Sequence, residues 1–331
     1  MSMHYRHPRW LVGGNAQTIW PALLSKAARR RYEPNYTRER WDTPDGDFID
    51  VDFLASNSAS DSTPDKPFLV LFHGLEGSSL SHYARAFAAW CEAHGYGYAV
   101  PHFRGCSGEI NRAPRAYHSG DFAEIGWILQ RVRERIGSSR LLYSVGVSLG
   151  GNALLRWAEE HGSAAASVAS GVAALCSPID LAASGAAIGS GFNRQTYTRM
   201  FLRSMKPRAF KKLEQFPGLF SRDALLAARD LYEFDNVVTA PLHGFKNTED
   251  YWRRASAKPH LHAIKIPALL INAINDPFIP AASLPRQADV GTHVLLDQPA
   301  HGGHVGFAQG GFPGVVDYLP ERVMQFFQTG K

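Results

Sequence analysis

Residues 140–157 read RLLYSVGVSLGGNALLRW. The apolar run Leu141–Val145 predicts a strand, Gly146-Val147-Ser148-Leu149-Gly150 is a G-x-S-x-G sequence, and Asn152–Trp157 predicts the start of a helix. In that strand–turn–helix setting the motif marks a nucleophile elbow. A side chain at 146 or 150 would collide with neighbouring backbone, and glycine removes it while permitting unusual dihedrals. Ser148 is then left at the tip of a strained turn, facing the positive end of the helix. The competing reading is a tight turn in which Ser148 only caps that helix.

The same rhythm extends outward. Upstream, residues 40–54 predict a β-hairpin turning at Pro44-Asp45-Gly46-Asp47, with Phe48, Val51 and Phe53 half-buried. Residues 56–65 predict a polar surface loop, and 67–72 a central parallel strand ending in His73-Gly74-Leu75-Glu76-Gly77-Ser78. A helix is expected over 81–94, a strand over 96–102 and an amphipathic helix over 121–136. Downstream, strands are expected within 164–175, 266–273 and 293–296, and a closing helix over 318–329. Alternating strands and helices predict an α/β fold: a mostly parallel central sheet with helices on both faces. Between about 181 and 262 the rhythm breaks into aromatic and basic residues at helical spacing. That span reads as a helical insertion, either a lid over the site or a solvent-facing cap. Residues 1–40 read as an N-terminal arm and 41–331 as one domain carrying the insertion. Residues 13–21 predict at most a short helix, because Pro21 closes them, and Trp10, Trp20 and Trp41 are expected to pin the arm to the body.

Composition narrows the function classes. The 331 residues are 45% hydrophobic and 20% charged, which fits a globular enzyme and opposes disorder. Thirty-five basic and 30 acidic residues leave a net charge of +5, modest for this length. The densest basic run, Arg29-Arg30-Arg31, is short, so a nucleic-acid partner is disfavoured and at most transient contact with anionic lipid is expected. No apolar run is long enough to span a bilayer, and the N-terminus lacks the apolar core of a secretory signal. Three widely spaced cysteines, Cys91, Cys106 and Cys176, predict a reducing, cytoplasmic setting without disulfides. Metal-binding spacings, phosphate loops and dinucleotide fingerprints are all missing, so no metal or organic cofactor is expected.

Serine attacks a carbonyl only with a base beside it, and a carboxylate fixes that base's tautomer. Ser148, Asp276 and His304 occur in the chain order Ser, Asp, His, the order of α/β-hydrolases. Asp276 and His304 each follow a predicted strand and so fall at the carboxyl edge of the sheet with Ser148. Asp297 is a weaker rival acid, and His301 is a rival base. Cys106 reads as a loop cysteine, His73 as a structural turn histidine, and Asp180, Asp235 and His243 as caps and turns rather than scattered ligands. The backbone amides of Leu75 and Leu149 are the expected oxyanion donors.

Taken together, these motifs resemble the AB-hydrolase-4 family, the YheT-like α/β-hydrolases. The likeness runs over nearly the whole chain: Gln17-Thr18, Pro44-Asp45-Gly46-Asp47-Phe48, His73–Ser78, His102-Phe103-Arg104-Gly105-Cys106-Ser107-Gly108-Glu109, Tyr117-His118-Ser119-Gly120, Ser148–Asn152 and His301–Phe307. Asn15-Ala16 departs from the family's usual His-Leu. The resemblance implies Ser148 as nucleophile, Asp276 as acid partner and His304, rather than His301, as base. It also implies a serine esterase or lipase acting on short- to medium-chain acyl esters without a cofactor. Phospholipid hydrolysis, or acyl transfer to an alcohol, is the alternative on the same site. A non-catalytic binding protein is less expected, since a pure binder has no need of all three groups.

Overall fold

The computed structural model describes residues 4–28, 32–55 and 66–331. The basic run Arg29-Arg30-Arg31 and the polar loop expected at 56–65 lie outside the described residues. The strands are β1 (Tyr36–Asp42), β2 (Phe48–Leu54), β3 (Phe68–Phe72), β4 (Gly97–Pro101), β5 (Leu142–Val147), β6 (Gly171–Leu175), β7 (Ala268–Ile271) and β8 (Val294–Asp297). They form one sheet in the order β1-β2-β4-β3-β5-β6-β7-β8. The β1–β2 hairpin joins β4 antiparallel, and every other pairing is parallel. This is the α/β-hydrolase architecture.

Strand alternation divides the interior into two cores. Phe68, Val70 and Phe72 of β3 face one side, where α3 (Phe122–Ile136) and α4 (Leu149–His161) supply Ile125, Leu129, Leu154 and Trp157. Leu69 and Leu71 face the other, against α2 (His82–His94) and the closing helix Tyr318–Thr329. Asp121 caps α3 by accepting the Glu124 N–H at 3.3 Å.

Three expectations are corrected. First, β2 is buried from Phe48 to Phe53 rather than half-buried, because it is an interior strand between β1 and β4. Its carboxylates are paired: Asp50 with Arg40 at 2.8 Å, and Asp52 with Arg38 at 2.6 Å. Second, the arm forms a 15-residue helix, α1 (Gly14–Ala28), with Pro21 inside it. Pro21 has no N–H for the Gln17 carbonyl. That carbonyl lies against the C-terminal loop instead, only 1.8 Å from where a Cβ on Gly306 would sit. Third, Trp41 belongs to β1 and packs on Phe53 and Trp127, so it does not pin the arm. Trp10 and Trp20 do, clustering with Phe312 and donating to the Gly310 and Pro313 carbonyls.

Between β6 and β7 the chain is helical and contributes no strand. It includes α5 (Leu181–Ile188), a helix at Arg199–Gln215 entered through a π-helical turn at Arg194–Thr198, and a helix at Thr248–Ala255. No described helix is long and apolar enough to cross a membrane.

Buried Arg104 ties the hairpin turn to α3, reaching Asp47 at 2.7 Å and Glu124 at 2.5 Å. Arg104→Met leaves both carboxylates buried without their cation and is expected to cost about 3 kcal/mol or more of stability. Urea unfolding checks this, and a loss near zero contradicts it.

Candidate active site

The parallel register brings consecutive loops to one edge. Val147 pairs with Leu175, and Leu175 with Ile271. Ser148 follows at once, its N–H donating to the Leu175 carbonyl at 2.8 Å, and α4 begins at the next residue. The chain reverses there with Ser148 at φ 52°, ψ −121°, a conformation that strains a non-glycine residue. Its neighbours leave no alternative space. A Cβ on Gly146 would lie 2.5 Å from the Gly150 carbonyl oxygen, and one on Gly150 would lie 2.5 Å from that of His73. Although Ser148 occupies the N-cap position, its side chain makes no capping bond. The Oγ lies 3.0 Å from His304 Nε2 instead, which disposes of the capping reading.

His304 Nδ1 is 2.8 Å from Asp276 Oδ2. The Asp276 side chain is fully buried, and its other oxygen accepts the Phe278 N–H at 2.8 Å. A neutral imidazole donating from Nδ1 to Asp276 leaves Nε2 as an acceptor for the serine hydroxyl. The Phe278 ring, 4.2 Å away, packs against the imidazole. The rivals are engaged elsewhere. Asp297 ends β8 in an ion pair with buried Arg322 at 2.7 Å, and His301 packs on His7 with ring centroids 3.9 Å apart.

Sequence reasoning missed the residues that hold this arrangement. Thr18 Oγ1 accepts the His304 backbone N–H at 2.8 Å. Gln17 Oε1 accepts from the Gly302 N–H and from Asn275 Nδ2, at 2.9 and 2.8 Å. Asn275 Oδ1 accepts the Gly303 N–H at 3.1 Å. Thus α1 clamps the aspartate loop to the histidine loop. Cys176 Sγ accepts the Val305 N–H at 3.2 Å. Gln17-Thr18 stood out only as a family signature, and a hydrogen-bond role across more than 250 residues leaves no local pattern.

The turn after β3 forms the opposite wall. Buried His73 bridges it: Nδ1 donates to the Gly74 carbonyl at 2.8 Å and Nε2 accepts the Phe103 N–H at 3.1 Å. A Cβ on Gly74 would sit 3.2 Å from the Ser148 Cβ, so the next residue, Leu75, borders the serine. Leu75 and Leu149 line the same cavity as Ser148.

That cavity, ≈ 160 Å³, is roofed by the helical insertion: Leu181, Ile188, Phe201, Met205 and Val238 close it with Phe278. In its polar patch Glu76 Oε1 accepts from Tyr117 at 2.7 Å and from Arg208 at 2.9 Å. Cys106 lies against Arg208, its thiol pushed up to about 12 chiefly by burial. Asp180 caps α5, and Asp235, pushed up to about 6 by burial, accepts from Thr239 and Trp252. Among the described residues, Cys176, Asp276 and His304 bring ligand-type atoms within 4.8 Å of one another. Burial holds the Cys176 thiol far above its ordinary range, hence protonated, and both histidine nitrogens are already engaged. The set suits proton transfer better than metal ligation.

A sheet of this order, with a strained serine at the end of its central strand, defines an α/β-hydrolase. Residues 67–311 match the family model described as alpha/beta hydrolase fold. YheT of Escherichia coli (strain K12) is 35% identical over 315 residues, spanning 95% of this chain and 89% of that one. Human phospholipase ABHD3 is 26% identical over 97% of this chain and 77% of its own length. Among solved structures, the Pyrococcus furiosus esterase Pf2001 superposes with a TM-score of 0.54 at 16% identity, covering 99% of this chain and 98% of that one. The Butyrivibrio proteoclasticus protein Est1E gives 0.54 at 12% identity, over 89% and 98%. At such identities these two establish the fold alone. The chain belongs to the alpha/beta hydrolase fold family, on its YheT-like branch.

Burial lowers His73, His118 and His243 to about 3 each, from the ordinary 6.5. The folded protein keeps them neutral, whereas the unfolded chain takes up a proton on each below about pH 6.5. Stability is therefore expected to fall as the pH drops from about 6.5 towards 3. His243 Nε2 has no hydrogen-bond partner, so His243→Leu removes one proton of that uptake at little structural cost. It should flatten the acid limb by about 1.4 kcal/mol per pH unit. Urea unfolding at several pH values reads the slope, and an unchanged slope contradicts the assignment.

Proposed function

We propose that this protein is a serine carboxylic-ester hydrolase for short- to medium-chain acyl esters, with Ser148 as nucleophile, His304 as general base and acid, and Asp276 as its partner. The observation that carries the reading is His304, with Asp276 on one ring nitrogen and the Ser148 hydroxyl on the other, beside an apolar cavity. Relatives named phospholipase ABHD3 and, in Saccharomyces cerevisiae, monoacylglycerol lipase support an acyl-ester substrate. The three free cysteines, two of them buried, support a reducing, cytoplasmic setting.

In this reading the ester's acyl chain enters the cavity beneath the insertion. His304 Nε2 takes the Ser148 proton as Oγ bonds to the carbonyl carbon. The carbonyl oxygen becomes an anion held by the Leu75 and Leu149 amides, donors fixed in place before charge develops. Leu149 opens α4, where backbone N–H groups have no intrahelical partner and the helix dipole favours negative charge. The ester C–O bond then breaks, and His304 returns the proton to the departing alcohol. Water repeats the sequence on the acyl-enzyme, releasing the acid and restoring Ser148. Asp276 stays ionised throughout, orienting the ring and stabilising the imidazolium.

Turnover of p-nitrophenyl esters tests the roles. Ser148→Ala and His304→Ala are each expected to lower kcat by about 10⁴-fold or more. Asp276→Asn should lower it by roughly 10⁴-fold by favouring the wrong tautomer. A chain-length series should peak among short to medium acyl chains and fall as the chain outgrows the cavity. Undiminished turnover in Ser148→Ala, with unchanged melting temperature, refutes the mechanism.

A further inference from the structure

The positive charge of this chain is unevenly spread, and the helical insertion is one of two segments with an excess. Residues 181–262 carry 13 basic and 7 acidic side chains, while the remaining residues carry 22 and 23. Residues 1–40 carry a similar excess, 8 basic against 2 acidic, but the helical insertion gathers its own on the elements over the cavity. Within the insertion, Arg194, Arg199, Arg203, Lys206 and Arg229 line one groove, and no acidic side chain lines that groove. Arg194 has a distant partner, Asp230 at 3.7 Å, and Lys206 donates to the Leu226 carbonyl at 2.9 Å. Arg199 and Arg203 are exposed, with no ion-pair partner among the described residues. Phe192, two residues before Arg194, Met200, next to Arg199, and Leu226, whose carbonyl Lys206 reaches, are each more than half exposed, at 56%, 53% and 56%.

The helix Arg199–Gln215 joins this surface to the cavity. Its positions 201, 205, 208 and 212 line the cavity above Ser148, and its positions 199, 203, 206 and 210 line the groove. The two stripes are offset by two residues, about 200° around a helix of 3.6 residues per turn. One face roofs the cavity, and the opposite face turns its cations outward.

We propose that this groove docks the protein onto a membrane surface carrying anionic headgroups. Cations gain from a negative leaflet potential when several reach the surface together. Exposed apolar side chains beside them add burial at the boundary between headgroups and acyl chains. Neither term needs a lipid-specific pocket, which suits an open groove of flexible arginines. A docked protein holds the roof of its cavity against the source of acyl chains. The proposal goes beyond the ester-hydrolase reading without needing it, because docking is measured without turnover.

Vesicle flotation of the full chain tests it. Binding is expected to vesicles that are one-third phosphatidylglycerol in phosphatidylcholine, to be absent with phosphatidylcholine alone, and to weaken as salt rises. The double variant Arg199→Glu/Arg203→Glu should bind roughly 100-fold more weakly. Its turnover of a short, soluble p-nitrophenyl ester should match the parent. If charge reversal unfolds the insertion, Arg199→Ala/Arg203→Ala keeps the helix with a strong helix former and should still bind more weakly. Equal binding to neutral vesicles, unchanged affinity in a folded variant, or capture by RNA with none by vesicles would each overturn the proposal.

Discussion

Crowding at the end of β5 is the constraint on which the rest depends. Four segments meet there: the end of β5, the first turn of α4, the turn after β3 and the loop after β6. Gly146, Gly150 and Gly151 can only be glycine, because a Cβ on any of them would lie within 2.5 Å of a neighbouring atom. The packing that demands glycine also forces Ser148 to positive φ, so the strain at that residue is maintained by the whole sheet rather than by its own loop. Parallel register does the remainder. With successive strands ending at one level, loops far apart in sequence open beside the same serine, and Asp276 and His304 come within hydrogen-bond reach of each other.

What was legible in the sequence was whatever has a short-range signature. Continuous apolar runs marked the buried parallel strands, and glycine spacing marked the turn at Ser148. The order Ser148, Asp276, His304 named the three side chains that the fold brings together, and elimination among nearby rivals could not separate His304 from His301 without a family likeness. What escaped were the features decided by tertiary contact. Pro21 reads as a helix terminator, yet α1 continues past it, with the freed Gln17 carbonyl packed closely on Gly306. Strand β2 reads as half-buried, but it is buried along most of its length, and the cations that allow its aspartates' burial sit on β1, one strand over. Gln17, Thr18 and Asn275 are ordinary residues until α1 meets the loops at 275 and 302–304, when they become the clamp between those two loops.

The helical insertion shows the same division between pattern and placement. Its helical spacing was plain, but no sequence pattern says that Phe201 and Met205 close a cavity while Arg199 and Arg203 look outward. That distinction follows from how the insertion seats on the carboxyl edge of the sheet, anchored by contacts such as Tyr197 with Asn15 of α1 and Asn193 with Pro277. Both anchors lie beside Asp276 and the clamp, so the roof and the hydrogen-bonded trio share supports.

The central claim is that Ser148 is the activated nucleophile. Reaction of the folded protein with a fluorophosphonate, followed by peptide mass spectrometry, tests it most directly. The account predicts a single adduct on the peptide containing Ser148, abolished in His304→Ala, where the serine keeps its position and loses its base. An adduct on another residue, or equal labelling at Ser148 without His304, would contradict it.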